Sequence, residues 1–122
     1  MSRPFPTLAA ALAATAFTFA AVQAQAHAML MKSDPVANST ISSPKVIHLE
    51  FMDGLAKKFS TFKLTDTDGN LVPLMAMDSN DTKVLEAMPS ATLTPGLYTV
   101  TWTAASSSDG HKMSGNYSFT VK

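Results

Sequence analysis

The chain has 122 residues, with nine basic and nine acidic side chains and no cysteine. Without cysteine there are no disulfide staples, no thiolate metal centres of the blue-copper kind and no cysteine nucleophile. The balanced charge, free of basic runs, argues against nucleic acid or an anionic membrane as a partner.

The first element is a targeting segment. Met1-Ser2-Arg3 is a short basic start, and Leu8 to Val22 follows as Ala, Leu, Phe and Val broken only by Thr15 and Thr18. The run closes with Ala24-Gln25-Ala26, a small-x-small cleavage site, and no acid occurs before Asp34. This is the pattern of a secretory signal peptide over residues 1–26. The apolar stretch is shorter than the ~20 residues a bilayer requires, and no basic stop-transfer cluster follows it. Cleavage after Ala26 is therefore expected, rather than retention as an anchor. The exported domain is then 27–122, large enough for one core and not for two.

The rest of the chain is short, β-rich and punctuated by turns. Val46 to Phe51 is predicted as a strand, as is the alternating run Phe59 to Thr65. Asp68-Gly69-Asn70 reads as a hairpin turn and Leu71 to Met77 as the returning strand. Lys83 to Met88 is a further candidate. After the turn at Thr94-Pro95-Gly96, Leu97 to Thr103 is the best strand in the chain, rich in β-branched and aromatic residues. Asn116 to Val121, after a turn at Ser114-Gly115, is the last. Helical periodicity is absent after residue 27 apart from a turn at Leu55 to Lys58. Several short strands in about a hundred residues predict an all-β, antiparallel sandwich, with Trp102 as the core anchor between its sheets; a monomer is expected.

Three histidines occur: His27, His48 and His111. After cleavage His27 begins the chain, and an N-terminal histidine offers its α-amine and ring Nδ1 to one metal ion. Copper(II) favours such tetragonal nitrogen and oxygen donors, and the amine, with a reference pKa of about 8, yields its proton at little cost. Asp109-Gly110-His111 adds a carboxylate and an imidazole two residues apart in a loop. The competing reading of that loop is a polar turn, with Asp109 bonding the backbone and Gly110 at positive φ. Zinc accepts the same donors, and the amine chelate is what favours copper. Asp53 is an axial ligand, an acceptor that orients a histidine, or a turn residue before Gly54; the sequence does not choose. His48, inside a strand, reads as structural.

Tyr98-Thr-Val-Thr-Trp102-Thr-Ala-Ala-Ser-Ser-Ser-Asp109-Gly-His111, followed by Gly115-Asn-Tyr-Ser-Phe119-Thr-Val, resembles the C-terminal signature of the CopC family of periplasmic copper-resistance proteins. His27-Ala-Met-Leu-Met-Lys-Ser-Asp34-Pro35, the strand ending at Phe51 and the acid after it are similar to the same family. The resemblance covers the whole of 27–122. It implies a Greek-key sandwich of about seven strands, a periplasmic location and one copper(II) per chain. The family's N-terminal histidine and aspartate-x-histidine loop fall on His27, Asp109 and His111. It also implies a partner at the inner membrane, a CopD-like copper importer.

Some such proteins hold copper(I) in a methionine-rich loop with a histidine. Here the loop from Pro73 to Lys83 has only Met75 and Met77 and no histidine. Methionine is also an ordinary core filler, and a copper(II)-only chain is expected. Two other functional classes fit parts of the sequence. A small copper-dependent oxidative enzyme built on the N-terminal chelate would need a substrate platform that so short a chain scarcely provides, so no enzyme is expected. A metal-free exported interaction domain would be indifferent to loss of His27 or His111.

Overall fold

The computed structural model describes residues 30–122. They fold as two packed sheets built from β1 (Leu30–Asp34), β2 (Thr40–Ile41), β3 (Ile47–Phe51), β4 (Thr61–Thr65), β5 (Leu71–Val72), β6 (Leu74–Met77), β7 (Val84–Pro89), β8 (Gly96–Ala105) and β9 (Lys112–Val121). One sheet has the order β1-β3-β7-β6 and the other β2-β9-β8-β4-β5. Every pairing is antiparallel except that of β2 with β9, which is parallel. The sandwich expected from the alternating pattern is therefore present. The extra strands are β1, the two-residue β2 and a division of the 71–77 run.

That division has a simple cause. Val72 pairs with Leu64 in one sheet, and Leu74 pairs with Pro89 in the other. Between them Pro73 has no N–H to give to a ladder, and the chain crosses from sheet to sheet there. The predicted strand from Phe59 begins instead at Thr61, because Lys57–Phe59 form a single 3-10 turn that leaves Phe59 exposed.

Inward residues of both sheets make one core. Trp102, Phe51, Phe119, Ile47, Leu49, Leu64 and Val100 are its largest fully buried side chains. The Trp102 ring meets that of Phe51 edge-on, at 5.2 Å between centroids and 77° between planes, an arrangement favoured by the ring quadrupoles. The expected turn at Ser114-Gly115 is instead continuous strand. Gly115 stands opposite Trp102 in the ladder, and a Cβ there would lie 2.6 Å from Trp102 Cζ2. Glycine at this position makes room for the indole rather than bending the chain.

β8 and β9 run antiparallel along their whole length, from Gly96 opposite Val121 to Ala105 opposite Lys112. Their shared end carries the 106–111 loop, and this places the candidate site.

Candidate metal site

The loop is fixed by its own polar groups. Ser106 N donates to His111 O at 2.9 Å and Gly110 N to Ser106 O at 2.9 Å. Ser106 is buried, and its Oγ lies 3.0 Å from that of Ser108. His111 N donates to Asp109 Oδ1 at 2.9 Å, and Gly110 adopts φ +72°. The polar-turn geometry expected as the competing reading of this loop is thus present. It engages one oxygen of Asp109 and the backbone of His111. Asp109 and His111 are both exposed, and the turn leaves the second carboxylate oxygen and the imidazole out of its hydrogen bonding.

A second segment is tied to this loop. Asp53, also exposed, follows the end of β3. Gly54 O accepts from Ser107 N at 2.9 Å, and Leu55 forms an isolated bridge with Ser106. Ala56 N then donates to Ala105 O at 2.8 Å. The approach is close: a Cβ on Gly54 would sit 3.2 Å from Ser107 Oγ and 3.4 Å from Thr82 Oγ1. Below it, Ser60 Oγ donates to Ala56 O at 2.8 Å and accepts from Ala105 N at 3.0 Å. Asp53 and the Asp109–His111 loop therefore share one end of the sandwich.

β1 starts at that same end. Leu30 is paired with Phe51, two residues before Asp53. His27, like Met29, lies outside the described residues. Among the described residues, no cluster of three or more His, Asp or Glu has the geometry to hold a metal ion. The structure thus brings Asp53 to the Asp109–His111 loop without itself completing a ligand set. Gly54, Ser60, Ser106 and Ser107 are the residues that sequence reading missed. In the sequence Gly54 is legible only as a turn residue, Ser60 only as one position of the predicted Phe59 to Thr65 strand, and Ser106 and Ser107 only as a polar loop.

The other candidates lie elsewhere. Met75 and Met77 stand opposite Met88 and Glu86, on the outer face of the four-stranded sheet. Both sulfurs share a face as the two-residue period requires, but Met75 is exposed rather than packed in the core. A cleft of about 590 Å³ opens between β4 and the β6–β7 edge, lined by Phe62, Leu74, Met77 and Glu86 among others. None of Asp53, Asp109 and His111 lines it. On β9, Tyr117 has a buried hydroxyl without a hydrogen-bond partner among the described residues. Burial pushes its phenol up to about 12; the nearby Ser33 hydroxyl opposes this and the Asp34 charge adds to it. Ser33 does not reach good hydrogen-bond geometry, so burial dominates.

Comparison with known proteins fits this architecture. The CopC domain model matches residues 30–122. The chain belongs to the CopC family. Copper resistance protein C of Escherichia coli is 39% identical over 110 residues, covering 84% of this chain and 86% of the relative. That of Xanthomonas campestris pv. juglandis is 35% identical over 125 residues, covering 97% and 98%. Among solved structures, PcoC, a methionine-rich copper resistance protein from Escherichia coli, superposes with a TM-score of 0.70 at 38% identity. That match covers 77% of this chain and 97% of PcoC. The membership gives the chain a copper-related resistance role, and the relatives carry resistance names rather than enzyme names.

Proposed function

We propose that this CopC-family protein is a periplasmic copper(II) carrier or buffer. In this reading residues 1–26 are removed on export. His27 then supplies its α-amine and ring nitrogen, His111 an imidazole and Asp109 a carboxylate to one copper(II) per chain. Asp53 sits beside this set as an axial donor or as an acceptor that orients a histidine. Such a donor set, rich in nitrogen and completed by oxygen, suits copper(II) in tetragonal geometry.

The observation that carries the reading is the lacing of the Asp53-Gly54 segment to the 106–111 loop, at the end where β1 begins. Three residues of extended chain reach about 10 Å. His27 is therefore within reach of that end from Leu30, without any rearrangement of the sandwich. Internal hydrogen bonds hold the loop before metal arrives, so little ordering entropy opposes binding.

The recipient of the copper would be an inner-membrane importer resembling CopD, with the carrier itself monomeric. Copper(I) has no part in the proposal: the face bearing Met75 and Met77 is separate from the Asp53 and His111 end.

The test is a copper(II) titration of protein exported with its signal peptide, its N-terminus confirmed by mass, with paramagnetic resonance as the readout. The expected result is a tetragonal, nitrogen-rich signal that saturates at one equivalent and is lost in His111→Ala. Absence of tight binding by correctly cleaved protein would overturn the reading.

A further inference from the structure

By sequence alone His48 is a structural strand residue. Its surroundings say more. On β3 the buried residues are Ile47, Leu49 and Phe51, so His48 and Glu50 point to the outer face. His48 stands opposite Glu86 on β7 and Asp34 on β1, and Glu50 stands opposite Lys32. His48 Nδ1 lies 2.7 Å from Glu86 Oε2, and Nε2 lies 3.8 Å from Glu50 Oε1. All three side chains are part-exposed, at 33% for His48, 30% for Glu50 and 24% for Glu86.

An ionised carboxylate can only accept a hydrogen bond, so Nδ1 carries the proton toward Glu86. In the neutral ring this leaves the lone pair on Nε2, on the side of Glu50. Their 3.8 Å separation is too long for a hydrogen bond. It is short enough for one ion to bind both atoms at about 2.0–2.2 Å. A carboxylate holding the far ring nitrogen is the usual means of fixing a metal-binding histidine in tautomer and orientation. Three acids and one lysine, Lys32, surround the ring, so the local field attracts cations.

We infer that His48 and Glu50 form a second, weaker site for a divalent copper or zinc ion on the outer face of the four-stranded sheet, with Glu86 as the positioning residue. Two protein ligands are fewer than a structural metal centre uses, in keeping with the absence of a three-donor cluster among the described residues. Water completes the coordination, and exchange is fast. The site would take up metal when the cation is in excess, independently of the 106–111 loop.

Zinc(II) is the probe, because it is diamagnetic and leaves the histidine ring resonances visible. It is titrated into the exported protein and into His111→Ala, with metal stoichiometry measured in parallel. The His48 ring signals should shift saturably in both proteins. His48→Gln should lose that equivalent with its near-ultraviolet circular dichroism unchanged. Glu86→Gln should weaken the site about tenfold, the loss usual for a removed orienting partner. Zinc that leaves the His48 resonances in place, or a shift that disappears in His111→Ala, would overturn the inference. Neither result bears on the copper(II) signal of the proposed main site, so the two readings fail separately.

Discussion

Two half-buried residues of β9 show how a single atom sets a stability or a pH limit. At Gly115 the missing Cβ is the space that the Trp102 indole fills. Gly115→Ala forces either the ring or the β9 backbone to move, and overpacking of this kind costs about 1–3 kcal/mol. A lower urea midpoint at unchanged slope is the expected result, and a wild-type midpoint would show that the sheets give way freely. Tyr117 is the opposite case, an atom too many. Its buried hydroxyl has no partner among the described residues, so Tyr117→Phe should be neutral or slightly stabilising at pH 7. Its folded pKa of about 12 lies above the ordinary value of 10, so unfolding releases protons in alkali. The stabilisation is fully present below pH 10 and is lost as pH rises toward 12. Denaturation at a series of alkaline pH values should show wild type losing stability relative to Tyr117→Phe across that window. Parallel curves would mean that the phenol is better solvated than its burial indicates.

At the level of elements, β8, β9 and their loop were readable because alternation, β-branched residues and a glycine-bearing polar turn all agree there. Asp109 and His111 were legible as a pair for the same reason. What the sequence hid is tertiary. Nothing local says that Pro73 marks a change of sheet, that Gly115 is strand rather than turn, or that Gly54 abuts Ser107. Those facts depend on partners distant in the chain. Ser60 is the clearest example. Lying just after an exposed turn it looks unremarkable, yet its hydroxyl joins Ala56 O to Ala105 N beneath the loop. Ser60→Ala leaves the Ala105 N–H buried without its partner, which costs about 1–3 kcal/mol. Because Ala105 is the last residue of β8, hydrogen exchange should rise first in the 106–111 loop. Protection that falls evenly over the whole sandwich would place the role of Ser60 in the core rather than beneath the site.

On the proposed function, the whole molecule joins a two-sheet frame to a ligand set assembled from separate parts of the chain. The frame has no cysteine to form a disulfide, and one apolar core lies between its two sheets. In the proposed reading, metal binding is a property of one end of the sandwich, where Asp53, Asp109 and His111 stand and β1 sets out from Leu30. If His27 completes the set, its α-amine matters as much as its ring, because the two close a chelate on one ion. Adding a single residue ahead of His27 keeps every side chain and every core contact but turns that amine into an amide. The expected outcome is copper(II) binding weakened by orders of magnitude, with an unchanged thermal midpoint for the metal-free protein. His27→Ala on a correctly cleaved chain should lose the ring nitrogen and retain the amine, giving a weaker copper complex with an altered resonance spectrum. Undiminished affinity in the extended protein would remove the N-terminal amine from the ligand set. The loop residues Asp109 and His111, with Asp53, would then have to bind copper by themselves.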